Sequence, residues 1–228
     1  MVENNLRHLA IIMDGNARWA KKKGKTKAQG HRQGAENIKT LLPAISKLGI
    51  EYLTLYAFSS ENWQRPKSEV LLLLELLKHY IDSTQEQLIE HNIKLKIVGN
   101  LEKLPSFLVS KINSIVDLTK NNSKMTLVIA FSYGSRSEIV DACQKAIDSG
   151  SKTINQEEFK NFLYDPKMPD VDLLIRTSGV YRISNFLLWQ AAYAELYFSD
   201  KLWPDFDEND IKEAVQNYSQ RKRTFGVR

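Results

Sequence analysis

The chain has 228 residues, of which 43% are hydrophobic and 26% are charged, as is typical of a globular domain with a packed core. It has no run of the roughly 20 apolar residues needed to cross a bilayer, and its single cysteine cannot form an intramolecular disulfide; membrane-spanning and disulfide-rich classes are therefore excluded. The net charge of +5 favours an anionic partner, although a modest excess of surface lysine gives the same value.

The first predicted element is a short buried strand, Leu9 to Met13, which stops at the turn signal Asp14-Gly15-Asn16. Ligands of open α/β sheets bind just beyond the carboxyl ends of the strands, which is where Asp14 is expected. Its carboxylate either binds Mg²⁺ or caps the next helix, and this stretch alone leaves both interpretations open. Arg18 follows, with a side chain suited to phosphate.

Helices and strands alternate through the first half of the chain. The first helix should kink at Pro43, and the long helix after it is apolar all round in its first turns, which indicates burial or the lining of an apolar cavity. In chain order we predict a basic loop from Lys21 to Lys27, a helix from His31 to Leu48, a strand from Ile50 to Phe58, a polar loop from Ser59 to Pro66, a helix capped by Ser68 and running to His91, a strand from Ile93 to Val98 and a helix from Ser106 to Leu118.

The second half repeats the alternation. We predict a strand from Met125 to Phe131, a helix from Ser137 to Ile147, a short capped helix from Asn155 to Tyr164, a strand from Val171 to Ile175, a helix from Ser184 to Ala194, a strand from Glu195 to Phe198 and a last helix from Glu208 to Arg221 with a basic tail. Cys143 lies in the apolar pattern of its helix, so we expect a buried structural thiol. The pattern predicts one α/β domain over residues 1–228, with a mostly parallel six-stranded sheet and helices on both faces.

Polar residues cluster where predicted strands end. They are Asp14 with Arg18, the loop from Ser59 to Arg65, Arg176, and Arg182 with Ser184. Guanidinium groups bind phosphate oxygens in pairs, and Glu195 at the start of a late strand adds a second carboxylate. This set predicts a metal-assisted reaction on an anionic substrate with an apolar body. P-loop, dinucleotide-binding, Gly-x-Ser-x-Gly and zinc-ligand motifs are absent from the sequence.

Blocks along almost the whole chain resemble the cis-prenyltransferase family, in particular its bacterial undecaprenyl diphosphate synthases. The blocks are His8 to Ala20, Gly30-His31, Leu55 to Pro66, Asp172 to Thr177, Arg182 to Gln190, Ala194 to Phe198 and Trp203 to Phe206. The resemblance implies a transferase that condenses farnesyl diphosphate with successive isopentenyl diphosphates to undecaprenyl diphosphate, a precursor of the lipid carrier for cell-wall polysaccharides. It also implies a Mg²⁺ cofactor and a hydrophobic tunnel.

By the same resemblance, Asp14 and Asn62 are catalytic, and Asp14 and Glu195 bind Mg²⁺, with Glu195 across the site or near a partner subunit. Because a neutral amide is a poor base, we expect Asn62 to position substrate while the departing diphosphate accepts the proton. The implied substrate-binding residues are Gly15, Asn16, Ala17, Arg18, Trp19, Lys27, His31, Ser59, Ser60, Glu61, Trp63, Arg65, Arg176, Arg182, Ile183 and Ser184.

The resemblance also assigns the loop from Ser60 to Pro66 to a mobile lid and the block from Val70 to Leu77 to the tunnel wall, with plain core packing as the alternative for those leucines. It implies a homodimer, peripheral membrane contact for product release, and no nucleic-acid partner. The polar start from Met1 to His8 lacks a secretory signal, so we expect a cytoplasmic protein. Three places depart from the family: Val180 replaces a usual glutamate, Lys27 replaces a usual arginine, and the usual Asn-Tyr-Gly-Gly-Arg reads Ser132-Tyr133-Gly134-Ser135-Arg136.

Three other interpretations stay open at this point. The product is shorter or longer than undecaprenyl diphosphate, or the chain is a non-catalytic partner subunit, against which the intact Asp14 and arginines argue. Nucleic-acid binding fits the net charge but lacks any groove-reading motif.

Overall fold

The computed structural model describes residues 6–223, along which helices and strands alternate. The strands are β1 (His8–Ile12), β2 (Tyr52–Ser59), β3 (Ile93–Val98), β4 (Met125–Tyr133), β5 (Leu173–Arg176) and β6 (Glu195–Phe198). The α-helices are α1 (Asn16–Lys22), α2 (Lys27–Lys47), α3 (Lys67–Glu90), α4 (Ser106–Thr119), α5 (Ser135–Asp148), α6 (Gln156–Lys160) and α7 (Glu208–Ser219), with 3₁₀ turns at Ser60–Gln64 and Trp203–Asp205. Part of the polar start and most of the basic tail lie outside the described residues.

The six strands form one sheet in the order β3-β4-β2-β1-β5-β6, and every neighbouring pair is parallel. All five residues of β1 are buried, as expected for a parallel strand covered on both faces. The register places Ile12 beside Tyr56 of β2 and Arg176 of β5. Since the strands all run the same way, the segments that follow β1, β2 and β5 emerge at one edge. The predicted six-stranded α/β sheet is confirmed.

Alternate residues of β1 point into two apolar cores on opposite faces of the sheet. Leu9 and Ile11 belong to the larger core, which also contains residues of α2, α3, α4 and α7. Ala10 and Ile12 belong to the smaller one, together with Phe186. The alternation follows from the two-residue repeat of a strand. The larger core thus places the leucine-rich helix α3 on the same face of the sheet as α2. Both helices lie next to the edge at which the polar segments after β1, β2 and β5 emerge, here called the polar edge.

Helix boundaries differ from the prediction where caps decide them. Helix α2 begins earlier than predicted, because Thr26 and Gln29 form a capping box, and it continues through Pro43. Two lysines of the predicted basic loop belong to α1. Helix α3 begins directly after Pro66, so the cap predicted at Ser68 is wrong. The capping box predicted at Asn155 and Glu158 is confirmed.

Helix α3 is 24 residues long and only partly buried. Leu76 and Leu77 are buried, whereas the side chain of Leu71 is 61% exposed, so the apolar block is not buried all round. None of the helices within residues 6–223 combines the length and the apolar character needed to cross a membrane.

The helix predicted from Ser184 to Ala194 is wrong: the segment forms successive turns. Ser184, Asn185 and Leu187 have φ angles of 49°, 61° and 48°. These values lie in the left-handed region, which interrupts a right-handed helix. The apolar pattern of this segment arises because Phe186 and Leu187 are buried against the sheet.

Cys143 is exposed, so the expected buried thiol is also wrong. Helix α5 packs inward through small or hydrogen-bonded residues, Ala142, Ala146 and Glu138. Val140 and Ile147, which belong to the same apolar pattern as Cys143, are 66% and 68% exposed. The pattern identified an apolar stripe, but not the side of the helix that packs.

Candidate active site

Two adjoining cavities open at the carboxyl edge of the sheet. The larger, here called the charged cavity, has a volume of about 730 Å³ and lies beyond β1, β2 and β5. The smaller, here called the apolar pocket, has a volume of about 100 Å³ and lies between α2, α3 and β4. They share the wall formed by Met13, Asn16, His31, Tyr56, Ala57 and Leu73. The two spaces are therefore compartments of one site.

Most of the residues predicted for the site line the charged cavity. They are Asp14, Gly15, Asn16, Ala17, Arg18, His31, Ser59, Glu61, Asn62, Arg65, Arg176, Arg182 and Ser184. Leu73, which lines both cavities, belongs to the predicted tunnel wall, whereas the lining residues Met13, Tyr56, Ala57, Glu69 and Asn185 were not predicted. For Met13 and Asn185 the available signal was their position directly beside selected residues.

The Asp14 carboxylate makes polar contacts with both neighbouring arginines in the charged cavity. Its Oδ2 accepts a hydrogen bond from Arg176 Nη2 at 3.0 Å, its Oδ1 accepts one from the Gly15 N–H at 2.7 Å, and Oδ1 lies 3.5 Å from Arg18 Nη2. Burial raises the pKa of Asp14, but the hydrogen bond and charge of Arg176 and the charge of Arg18 outweigh it and hold the pKa below its usual value. Asp14 is therefore ionised at neutral pH.

The main chain of Asp14 is held by residues from distant parts of the sequence. Its N–H donates to Thr177 Oγ1 at 3.0 Å, and that hydroxyl donates to the Asp14 carbonyl oxygen at 2.7 Å. The Trp203 N–H donates to the same carbonyl at 3.0 Å. Gly15 has a φ of 110°, which favours glycine and permits the sharp turn. Asp14 thus shapes the turn through its backbone while its carboxylate faces the cavity.

Arg176, the last residue of β5, forms a fixed cationic wall. Its side chain is 6% exposed. Nη1 donates to the Arg182 carbonyl oxygen and, at 2.7 Å, to Ser184 Oγ, while Nη2 donates to Asp14. These bonds hold the guanidinium plane between Asp14 and the loop after β5, with its orientation set before any ligand arrives.

Arg18 is anchored from the opposite side of Asp14. Its Nη1 donates to the Ser178 carbonyl oxygen at 2.8 Å, and its Nη2 donates to the Ser178 hydroxyl. The side chain stays 49% exposed, so part of the guanidinium faces the open cavity. Thr177 and Ser178 support the site without having been predicted; their position directly after β5 was the signal.

Small residues on α2 let α1 approach closely. A Cβ atom on Gly30 would lie 2.3 Å from the Asn16 carbonyl oxygen, and one on Gly34 would lie 2.2 Å from Asn16 Oδ1. Within the described residues, Asn16 Oδ1 and His31 Nε2 are buried and have no hydrogen-bond partner. Burial, followed by the charge of Arg65, lowers the pKa of His31, so its imidazole is neutral at neutral pH. The shared wall therefore carries polar atoms that a polar ligand would satisfy.

The predicted lid segment forms the 3₁₀ turn Ser60–Gln64, whose residues Glu61 and Asn62 line the charged cavity. Asn62 Oδ1 accepts a hydrogen bond from the Ser59 N–H at 3.1 Å. Trp63 Nε1 donates to Ser132 Oγ at 2.9 Å, and its ring packs edge-on against Phe58. The turn is docked in this structure, and its mobility stays a prediction.

The apolar pocket extends away from the charged cavity along α3. Glu69 lines the charged cavity, Leu73 lies on the shared wall, and Leu76, Leu77 and Tyr80 line the pocket. From Glu69 to Tyr80 the helix rises roughly 16 Å. Tyr80 is the lining residue of α3 farthest along the helix from Glu69, and its hydroxyl is buried and has no hydrogen-bond partner in the described part of the chain.

Six predicted residues line neither cavity: Trp19, Lys27, Ser60, Trp63, Ile183 and Glu195. The Trp19 ring packs with Ala20 and Leu202, and its Nε1 donates to Asp205 Oδ1 at 2.7 Å. Lys27 Nζ lies 3.8 Å from a Glu69 carboxylate oxygen. Trp19 thus packs α1 against Leu202, and the substrate contact expected of it stays a prediction.

Glu195 begins β6, as predicted, but it lies at the end of the strand away from the cavity. The register pairs Glu195 with Leu173 and Phe198 with Arg176, so three strand steps, roughly 10 Å, separate Glu195 from the level of Arg176. Its carboxylate accepts a hydrogen bond from Arg221 Nη1 at 2.8 Å. Within one chain the structure does not bring Glu195 to Asp14, and its metal contact stays a prediction for a site completed by a partner subunit.

Mg²⁺ fits this site through few protein ligands. Residues 6–223 contain no group of three His, Cys, Asp or Glu side chains that could hold a metal ion. Mg²⁺, however, commonly binds one or two carboxylates together with substrate phosphates and water. Asp14 suits that mode because it is ionised and its side chain is 35% exposed in the charged cavity.

Comparisons with known proteins agree on one family. Residues 12–226 match the family model described as "Putative undecaprenyl diphosphate synthase". An isoprenyl transferase of Rickettsia conorii is 59% identical over 100% of this chain and 97% of its own length, and one of Thermotoga maritima is 48% identical over 96% of each. Lavandulyl diphosphate synthase from Lavandula x intermedia, solved with dimethylallyl diphosphate, superposes with a TM-score of 0.94 at 36% identity, over 98% of this chain and 99% of that one. A probable undecaprenyl diphosphate synthase from Campylobacter jejuni gives a TM-score of 0.84 at 35% identity with the same coverage.

Proposed function

The chain belongs to the undecaprenyl diphosphate synthase family of isoprenyl transferases, and we propose that it condenses farnesyl diphosphate with successive isopentenyl diphosphates to form undecaprenyl diphosphate. The observation that supports this function best is the joining of an arginine-lined cavity to an apolar pocket through a shared wall. Both substrates combine a diphosphate with a hydrocarbon chain, which matches that division. The product is a precursor of the lipid carrier for cell-wall polysaccharides.

The charged cavity offers two groups of diphosphate-binding residues. We assign the allylic diphosphate to the turn from Gly15 to Arg18, whose residues line the cavity and include the half-exposed Arg18 guanidinium, with His31 on the adjoining wall. We assign isopentenyl diphosphate to Arg182, Ser184 and Arg176. Arg176 connects the second group with the first, because it bonds to Ser184 and also to Asp14, which directly precedes Gly15.

The reaction breaks the bond between C1 of the allylic substrate and its diphosphate oxygen. It forms a bond from that carbon to C4 of isopentenyl diphosphate, and a proton leaves C2 of the latter. Negative charge develops on the departing diphosphate, where donors fixed in advance stabilise it most effectively. Mg²⁺ bound through Asp14 would add positive charge beside the same oxygens. Arg176 and Arg18 keep the Asp14 carboxylate ionised and oriented for that role.

The proton acceptor in this proposal is the departing diphosphate rather than Asn62. Asn62 Oδ1 already accepts a hydrogen bond from the Ser59 N–H, and an amide oxygen is a very weak base. Asn62 would instead hold the 3₁₀ turn in shape over the substrates. An Asn62→Asp variant would test this division, because an introduced carboxylate base should not raise the rate.

The direct test is a product assay with purified protein, farnesyl diphosphate, labelled isopentenyl diphosphate and either Mg²⁺ or EDTA. We expect polyprenyl diphosphates only with Mg²⁺. Folded protein that makes none would refute the enzymatic proposal and favour a non-catalytic partner subunit. Tight, salt-sensitive binding to a random DNA duplex would instead favour a nucleic-acid partner.

A shorter cis-prenyl product is the second candidate function, and the volume of the apolar pocket favours it. The pocket measures about 100 Å³, and the Tyr80 side chain is part of its lining. The strong superposition on lavandulyl diphosphate synthase, whose structure contains dimethylallyl diphosphate, is consistent with a short hydrocarbon chain. Chromatography of the labelled products distinguishes the two candidates by chain length.

We further propose a homodimer that contacts the membrane peripherally when the lipid product leaves. The exposed edge strand β6, with Leu196 39% exposed, supports an interface in the segments from Glu195 onward. If a partner subunit places Glu195 at the metal site, Glu195→Gln should raise the Mg²⁺ concentration needed for half-maximal activity. A monomer in sedimentation equilibrium, or an unchanged Mg²⁺ titration, would contradict this assembly.

A further inference from the structure

Asn185 connects the loop that follows β5 with the 3₁₀ turn Ser60–Gln64. Its neighbour Ser184 accepts a hydrogen bond from Arg176 Nη1 at 2.7 Å. Asn185 Nδ2 donates to Glu61 Oε1 in the turn at 2.9 Å. Adjacent residues of one loop therefore hold the cationic wall on one side and the turn over the cavity on the other.

The backbone that aims these two side chains is held in an unusual conformation. Ser184 and Asn185 both have left-handed φ angles, 49° and 61°. The Tyr56 hydroxyl donates to the Ser184 carbonyl oxygen at 3.3 Å, and the Ser135 N–H donates to the Asn185 carbonyl oxygen at 2.9 Å. Rare backbone conformations that the surroundings fix in this way concentrate at functional positions. The loop thus presents Ser184 and Asn185 in a set orientation.

The bond between Asn185 and Glu61 joins a neutral donor to a carboxylate. Burial raises the pKa of Glu61, but hydrogen bonds, first among them that from Asn185, outweigh it and hold the pKa below its usual value. Glu61 is therefore ionised at neutral pH, and the bond is charge-assisted. It holds a negative side chain of the charged cavity in a fixed place, where that side chain does not pair with the arginines expected to bind phosphate.

The two polar atoms of the Asn185 amide have separate tasks. Oδ1 accepts a hydrogen bond from the Arg136 N–H at 2.9 Å at the start of α5, whereas Nδ2 holds Glu61. Gly134 lets the three segments meet, because a Cβ atom there would lie 2.4 Å from Ser60 Oγ and 2.8 Å from Asn185 Nδ2. An aspartate at position 185 would keep the first bond and lose the second.

We propose that Asn185 is a positioning residue that couples an anion bound at Arg176, Arg182 and Ser184 to docking of the turn Ser60–Gln64. The loop that carries Ser184 toward Arg176 also carries the Asn185 amide that holds Glu61, so an anion bound there stabilises the arrangement in which the turn is docked. Because such coupling is reciprocal, docking of the turn also tightens anion binding. The identification of the anion as isopentenyl diphosphate rests on the proposed function; the coupling itself does not require it.

The experiment measures amide hydrogen exchange in residues 60–64 with and without inorganic pyrophosphate, in the full chain. In the unmodified protein, pyrophosphate should slow exchange there. Asn185→Asp should speed exchange about tenfold, abolish the effect of pyrophosphate and raise KM for isopentenyl diphosphate more than it lowers kcat. Glu61→Ala, at an exposed position, removes the acceptor without touching the bond to Arg136 and should do the same.

The matched control is the double variant Asn185→Asp with Glu61→Gln, which reverses the donor and acceptor and restores the original net charge. Exchange and KM in this variant should return most of the way to their original values. Its effects must therefore differ from the sum of those of Asn185→Asp alone and Glu61→Gln alone, both measured in the same way. Exchange in Glu61→Ala equal to that of the unmodified protein, or strictly additive effects in the double variant, would overturn the coupling. Absence of prenyl products from the unmodified protein would refute the proposed function while leaving the exchange result decisive for the coupling.

Discussion

The charged cavity and the apolar pocket share a wall, yet they differ in how completely they are formed before substrate arrives. The charged cavity holds about 730 Å³, and hydrogen bonds from Arg176 and Arg18 set its walls. The apolar pocket holds about 100 Å³, and the Tyr80 hydroxyl at its lining has no hydrogen-bond partner within residues 6–223. A cavity of about 150 Å³ holds a molecule of the size of benzene, so a fifteen-carbon chain requires this pocket to widen.

The difference follows from the forces that each region uses. Donors that stabilise developing charge must be in place beforehand, because the free energy needed to reorient them during the reaction would offset the stabilisation of the transition state. Contacts with a hydrocarbon chain are non-directional, and side chains can rearrange as the chain enters. We therefore expect substitutions in the charged cavity to change the rate, and substitutions in the apolar pocket to change product length and stability.

The largest expected effect is that of Asp14→Ala in the charged cavity. Turnover should fall by about 10²–10³-fold or more, because the carboxylate that fixes Arg176 and would bind Mg²⁺ is lost. Asp14→Asn is the control: its amide oxygen can still accept the Gly15 N–H, but it lacks the charge, and it should be nearly as inactive. Thermal unfolding would verify the fold of both. Near-normal turnover in either would remove Asp14 from the chemistry.

The matching substitution in the apolar pocket is Tyr80→Ala. Removing this ring from the pocket lining should lengthen the main product by one or more isoprene units, while the allylic diphosphate is still consumed. The control is Tyr80→Phe, which keeps the ring and should keep the product length. Chromatography of the labelled products measures both. An identical chain-length distribution in Tyr80→Ala would show that another part of the pocket sets the length.

Tyr80→Phe also tests whether the unpaired hydroxyl weakens the fold. Its removal should raise the free energy of unfolding by about 1 kcal/mol, because a buried polar group without a partner is destabilising. Tyr133→Phe provides the contrast, since the buried Tyr133 hydroxyl donates to Glu138 Oε2 at 2.5 Å. That variant should lose about 1–3 kcal/mol. Denaturant unfolding compares the two, and effects of the same sign would contradict the distinction.

The smallest expected effect concerns His31 on the shared wall. Burial and the charge of Arg65 lower its pKa in the free protein, whereas a bound diphosphate would raise it, so binding takes up a proton. Affinity for pyrophosphate should therefore increase a few-fold as the pH falls from 7 to 6. Titration calorimetry measures the pyrophosphate affinity of the unmodified protein and of His31→Gln at both pH values. The difference between the two proteins isolates the contribution of His31 from the titration of pyrophosphate itself. An equal change of affinity with pH in the two proteins would show that His31 does not take up the proton.

The polar edge could be predicted from sequence, because strands that end in Asp14 and Arg176 must deliver them to one edge of a parallel sheet. The segment after Ser184 could not. Its apolar pattern fits a helix, and the left-handed backbone there is set by contacts such as that between Ser135 and Asn185, which lie far apart in the sequence. The predicted burial of Cys143 was wrong for a related reason, since periodicity defines an apolar stripe on a helix but not whether another element covers that stripe. The pocket volume depends on side-chain packing that no pattern encodes.

The contact between Arg176 and Asp14 has a consequence for the order in which the protein is made. Arg176 follows Asp14 by 162 residues, and β5 must insert beside β1 to deliver it. At ordinary translation rates, roughly 10–30 s pass between the synthesis of the two residues. During that interval β1 has an unpaired edge on a nascent chain, and Asp14 lacks its main cation. The edge of the sheet that carries Asp14 is therefore assembled only after β5 has been synthesised, and a chain truncated before β5 would carry the opening motif without Arg176.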